Sequence, residues 1–141
     1  MTTASRIQAP RFELRRRVER RDLDERQHVN NVVYVQWVQD AAAAHWTTLA
    51  PRGALADTAW VALRHEIDYL RPAMLDDEVV IATWVGVAEG LSFERFTEIR
   101  REDGRVLARA RTLWCPVDAH TGKPQRVSAE IRARCSVPGN G

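Results

Sequence analysis

Between residues 30 and 48 the apolar positions recur at intervals of three and four: Val33, Tyr34, Trp37, Val38, Ala41, Ala44 and His45. That spacing puts them on one stripe of a helix, with Gln36, Gln39, Asp40 and Thr47 opposite. Asn30 or Asn31 supplies the N-cap, since a short side-chain oxygen can accept a first-turn N–H that the helix itself leaves unpaired. Four consecutive alanines, Ala41 to Ala44, favour the helix and let it approach another surface closely. Elsewhere the period is two. Phe12, Leu14 and Val18 mark residues 11–20 as a strand with one half-buried face, interrupted by Arg16. Residues 49–56, with Pro51 and Gly53, turn the chain. Val61, Leu63, His65, Ile67 and Tyr69 then alternate with Ala62, Arg64, Glu66 and Asp68, and Pro72 ends that strand. Residues 78–87, 91–101 and 105–117 give three more strands, joined at Glu89-Gly90 and at the Asp103-Gly104 hairpin signal. In the second of these, Leu91, Phe93, Arg95, Thr97 and Ile99 share a face. Ser128 caps a short last helix at residues 129–135.

The order is strand, long helix, four strands. Short connections between the last four predict an antiparallel meander. One helix must then cover one face of a five-stranded sheet, an α+β arrangement. Residues 1–10 read as a flexible arm, 11–135 as a single domain and 136–141 as a tail.

Composition narrows the classes. A chain of 141 residues, 45% hydrophobic and 28% charged, has the balance of one globular domain. A net charge of +2 gives no reason to expect a nucleic-acid partner. Lys123 is the sole lysine, and arginines crowd the start: Arg11, Arg15, Arg16, Arg17, Arg20, Arg21 and Arg26. They read as a solvated edge strand, or as forks for the phosphates of a carrier such as coenzyme A. Cys115 and Cys135 lie far apart, with no C-x-x-C and no zinc spacing, and two unpaired thiols suit a reducing cytoplasm. The first residues lack the apolar core of a signal peptide, and no apolar run is long enough to span a bilayer. The expectation is a cytoplasmic protein without membrane attachment, cofactor or metal.

Chemistry gathers ahead of the long helix. Asp24 and His28 precede a helix N-terminus, whose unpaired N–H groups and positive dipole end can hold a developing oxyanion. A carboxylate and an imidazole beside such a terminus are equipped to attack a carbonyl. Taken alone, Asp24 is also a residue that could simply tie its loop to nearby backbone N–H groups.

The run Asp22-Leu23-Asp24, His28-Val29-Asn30-Asn31, Tyr34 and Trp37 resembles the approach to the central helix of hotdog-fold thioesterases. Those of the 4-hydroxybenzoyl-CoA thioesterase-like and acyl-ACP thioesterase groups read roughly D-x-D-x-x-x-H-V-N-N-x-x-Y-x-x-W/F, and every fixed position is filled here. A looser likeness extends to residues 61–72 and 77–84. The resemblance implies a hotdog fold, a five-stranded antiparallel sheet wrapped around one long central helix. It implies hydrolysis of an acyl-CoA thioester, with an acyl-ACP substrate as the alternative. It also implies a homodimer or dimer of dimers, joined edge to edge, with each site borrowing residues from its neighbour. Asp24 would be the catalytic carboxylate, as general base or as nucleophile. His28 would move protons. Asn30 would cap the helix or orient water, and the Asn31 backbone N–H would polarise the carbonyl. Tyr34, His65 and Arg26 are candidate substrate or CoA contacts, although His65, beside Leu63 and Ile67, reads as a core histidine unless a neighbouring subunit brings its strand to the site.

Arg26 stands where acyl-ACP thioesterases carry an asparagine, and enzymes acting on 4-hydroxybenzoyl-CoA lack the H-V-N-N run. The likeness is therefore to the superfamily and leaves the substrate open. Two other functions fit less well. No hydratase-type G-x-x-x-x-x-I-H-x-D segment is present, and a ten-residue arm is too short for a DNA-binding helix-turn-helix. A catalytically silent acyl-thioester binder is the remaining non-enzyme reading.

Overall fold

Helix α1 (Asn31–Leu49) lies across a five-stranded antiparallel sheet in the computed structural model, which describes residues 11–135. The arm and tail expected at residues 1–10 and 136–141 lie outside the described residues. The strands are β1 (Arg11–Arg17), β2 (Thr58–Tyr69), β3 (Glu78–Glu89), β4 (Ser92–Arg101) and β5 (Val106–Asp118). Short helices α2 (Ala54–Asp57) and α3 (Ala129–Cys135) complete the described part. This is the hotdog arrangement. Among the described residues, no helix is long and apolar enough to cross a membrane.

The stripe on α1 packs as its spacing dictates. Tyr34, Trp37, Val38, Ala41 and His45 are buried. The first four form the core with Val79 and Ile81 of β3, Ile99 of β4 and Leu107 of β5. Asn30 is the N-cap, its Oδ1 accepting the Val32 N–H at 3.0 Å. The outer face of the sheet is solvated, as period-two alternation requires. There Arg111 bridges Glu94 of β4 and Glu66 of β2, at 2.6 and 2.9 Å.

Four expectations are corrected. The last four strands do not form one meander: the spatial order is β1-β3-β4-β5-β2, so β2 pairs with β5. Residues 70–77 carry the chain from β2 across to β3. Three inter-strand steps are roughly 14 Å, well within reach of eight residues. Pro72 has no N–H to give a ladder, and its neighbours bond elsewhere. The Leu70 and Arg71 N–H groups donate to Leu107 O, and Val29 N–H donates to Ala73 O. Close sequence spacing alone could not reveal that these long-range partners win.

The second correction concerns β2. A bulge between Ala62 and Arg64 leaves Leu63 without a partner on β5. One extra residue inverts the alternation. Trp60 and Ala62 before it, and His65 and Ile67 after it, are the more buried residues; Val61 and Leu63 (60% exposed) are left in solvent. The strand expected at residues 11–20 also stops early, at Arg17, and Arg20–Asp22 forms a single 3-10 turn. Leu91 is exposed in the β3–β4 turn rather than sharing the buried face of Phe93 and Arg95.

His45 introduces a pH dependence. It is buried against the stacked Phe12 ring, and Nδ1 accepts a hydrogen bond from Arg95 Nη1 at 2.9 Å. Burial, followed by the Arg95 charge, lowers its pKa from 6.5 to about 4. The unfolded chain therefore binds this proton first, so stability falls as pH drops from 6.5 towards 4 and is flat above that window for this group. We expect the urea midpoint to fall across that range. In His45→Gln, which keeps an acceptor for Arg95, the fall should be shallower.

Candidate active site

A cleft of about 570 Å³ opens at the N-terminus of α1, walled by the loop preceding the helix and by the crossover after β2. The loop is short and heavily bonded. Leu23 and Val29 form an antiparallel bridge, and Asp24 N–H donates to His28 O at 2.8 Å. Closing so tight a turn puts Gln27 at φ +65°, a left-handed conformation that costs a non-glycine residue energy. Asp24 ties this turn down, its Oδ1 accepting the Arg26 N–H at 2.8 Å and the His28 N–H at 3.3 Å. Oδ2 has no hydrogen-bond partner among the described residues. One oxygen of this half-buried carboxylate thus ties the loop while the other is left unengaged among the described residues.

Most of the expected residues converge here. Asp24, Arg26, His28, Asn30, Asn31 and Tyr34 all line the cleft. The Asn31 N–H, first in the helix, has no partner among the described residues, while Asn30 N–H donates to Asp22 O and Val33 N–H to Asn30 O. The unpaired donor and the positive end of the helix dipole thus border the same space as the carboxylate. Asn30 has its oxygen engaged in the cap. His28 is half-buried, with its backbone bridged to Met74. Asp22 is structural: its carboxylate accepts the Glu19 N–H at 2.8 Å.

Tyr34 does something its position alone did not suggest. Its Oη accepts the Ala73 N–H at 2.8 Å, so the phenol holds the crossover against the helix. Burial raises its pKa and keeps it neutral. Tyr34→Phe leaves the Ala73 N–H buried without an acceptor, and we expect a loss of ~1–3 kcal/mol in urea unfolding.

His65 is not part of this cleft in its own chain. Half-buried, it has Nδ1 2.9 Å from Thr112 Oγ1 and its ring edge-on to Trp114, and of its expected face-mates it keeps Ile67 but not Leu63. Residues missed in the sequence are Tyr69, Leu70, Arg71 and Pro72, which form the opposite wall. Tyr69 Oη donates to Asn31 O at 3.3 Å, and its ring packs edge-on against Tyr34. Pro72 marked the end of a strand, but nothing local signalled that the segment beyond would cross to the helix terminus. The arginine-rich start is mostly a solvated edge: Arg17 pairs with Asp76, Arg21 with Glu19, and Arg11 lies 4.0 Å over the Trp84 ring.

Comparison with known proteins identifies relatives of the chain and of its fold. The chain is 29% identical over 118 residues to the long-chain acyl-CoA thioesterase FadM of Escherichia coli K12, covering 79% of this chain and 87% of that protein. A thioesterase from Thermus thermophilus, solved with coenzyme A and zinc, superposes with a TM-score of 0.78 at 27% identity, over 89% of this chain and 97% of that one. Slr0204, a 1,4-dihydroxy-2-naphthoyl-CoA thioesterase from Synechocystis, shares the fold with a TM-score of 0.75 at 21% identity, over 89% and 95% of the two chains. The thioesterase superfamily model matches residues 26–108, more than half of the sequence, and the chain belongs to that superfamily.

Proposed function

We propose that this thioesterase hydrolyses an acyl-CoA to the free acid and CoA at the cleft before α1. The observation that carries the reading is the juxtaposition of the Asp24 carboxylate and the unpaired Asn31 N–H on one cleft. In this reading the thioester carbonyl oxygen rests on the Asn31 N–H, where the helix dipole stabilises the charge that develops on attack. Asp24 removes a proton from water, or attacks the carbonyl carbon itself to give an acyl anhydride that water then cleaves. Either route breaks the C–S bond, and the departing thiolate takes up a proton, for which His28 is placed on the same cleft. Arg26 and Arg71, exposed at the cleft, suit the phosphates of the carrier.

Coenzyme A is favoured over acyl carrier protein by the relatives: FadM is named for acyl-CoA, and the Thermus protein was solved with coenzyme A. The outer edge of β2, with Val61 and Leu63 exposed, has no strand partner among the described residues. Such an edge supports the homodimer, two sheets joined at β2. The test is thiol release from short, medium, long and aromatic acyl-CoAs, and from acyl carrier protein loaded with the same acids. Turnover of at least one CoA ester above the protein-carrier forms is expected. Turnover of carrier-protein esters alone would replace the CoA reading, and silence with both would leave a binding protein.

A further inference from the structure

A second cavity, of about 430 Å³, lies between the latter half of α1 and strands β2, β4 and β5. The helix wall is mixed, with Ala42, Ala43 and Trp46 beside the polar Gln39 and Thr47; the sheet wall is aromatic, with Trp60, Phe93 and Trp114. Arg95 of β4 also lines it and is 2% exposed.

This arginine is an anomaly in a chain whose other described arginines lie at or near the surface. A buried cation ordinarily has a carboxylate partner, because desolvating an unpaired charge is costly. Arg95 makes no ion pair among the described residues. Its Nη1 donates to His45 Nδ1 at 2.9 Å and to Thr83 Oγ1 at 3.1 Å, both neutral acceptors, which leaves Nε and Nη2 without partners there. His45 is held neutral by its burial and by Arg95 itself. Of the wall residues, Trp60 and Trp114 each bury an indole Nε1 that has no hydrogen-bond partner among the described residues. A guanidinium with free donors at the wall of an aromatic chamber matches one ligand chemistry, a carboxylate on an apolar body.

We propose that this cavity binds an organic carboxylate, its apolar body against the tryptophans and its carboxylate on Arg95. From Asn31 to Ala42 is roughly 16 Å along the helix, so within one chain this is a site apart from the catalytic cleft. The carboxylate can come from a free acid or from the far end of an acyl group. Binding to the cavity does not depend on the assignment of Asp24.

Trp46, Trp60 and Trp114 line the chamber, so intrinsic fluorescence reads its occupancy. The probe is 4-phenylbutyrate, with 4-phenylbutanamide as the neutral match. We expect saturable binding of the acid, with the amide at least ~10-fold weaker, because it cannot make a charge-assisted bond to the guanidinium. Arg95→Met should abolish that preference while amide affinity stays within ~3-fold, and Ala43→Phe, which fills the chamber and leaves Arg95 in place, should abolish binding of both. A companion measurement compares hexadecanedioyl-CoA with hexadecanoyl-CoA as substrates of the native protein, a chain long enough to span the distance between cleft and cavity. A lower KM for hexadecanedioyl-CoA assigns the site to the end of an acyl group, whereas acid binding without it assigns the free acid. Equal binding of acid and amide, or acid binding undiminished in either variant, overturns the proposal. So does the absence of acid binding together with no preference for hexadecanedioyl-CoA.

Discussion

Asp24→Asn is expected to lose at least ~100-fold in turnover of an acyl-CoA, the order typical of a positioned acid–base group. The choice of asparagine follows from the geometry. Asp24 Oδ1 holds the turn through the Arg26 and His28 N–H groups, and an asparagine oxygen can accept both bonds. The substitution removes the charge and basicity at Oδ2 while sparing the loop. Asp24→Ala would remove both functions and could not separate them. Thiol release and thermal unfolding measured on the same samples decide the matter. A large loss of rate with an unchanged melting temperature assigns chemistry to Asp24. Full activity in a folded Asp24→Asn protein would confine the residue to tying its loop and move the base elsewhere on the cleft.

Trp37→Ala is expected to cost ~3–5 kcal/mol of stability, the range for truncating a buried aromatic residue. Trp37 is 4% exposed, sits edge-on to Tyr34 at 5.3 Å between ring centroids, and belongs to the cluster that seats α1 on the sheet. The sheet beneath it is a hydrogen-bonded ladder, so the cavity left behind cannot collapse easily. Domains of this size have ~5–15 kcal/mol in total, so one side chain accounts for a large share. The helix it anchors carries Asn31 at its start, so loosening it also disturbs the cleft. Urea denaturation checks this, with a lower midpoint at an unchanged slope as the expected result. A loss below ~1 kcal/mol would mean that α1 is held chiefly by other contacts.

What was legible in the sequence follows from range. The stripe from Tyr34 to His45, the Asn30 cap and the turns at Gly90 and Gly104 are set by neighbours a few residues away, and local spacing reports them faithfully. The motif from Asp22 to Trp37 likewise lies within one loop and helix, which is why Asp24, Arg26, His28, Asn30, Asn31 and Tyr34 meet on one cleft. His65 lies elsewhere. The crossover at residues 70–77 depends on Tyr34 and Val29, far away in sequence, and a one-residue bulge at Leu63 was enough to reverse the face of Val61. Alternation put Arg95 on one face of its strand with Phe93, Thr97 and Ile99, but only tertiary structure revealed its burial and its neutral partners where a carboxylate would be expected.

The central claim is that the thioester carbonyl rests at the start of α1. A crystal structure of the protein with a non-hydrolysable acyl-CoA analogue, its thioester sulfur replaced by methylene, tests that claim directly. The predicted result is the analogue's carbonyl oxygen about 3 Å from the Asn31 N–H, with the Asp24 carboxylate facing the carbonyl carbon. A carbonyl bound away from Asn31, with the cleft before α1 left to solvent, would contradict it.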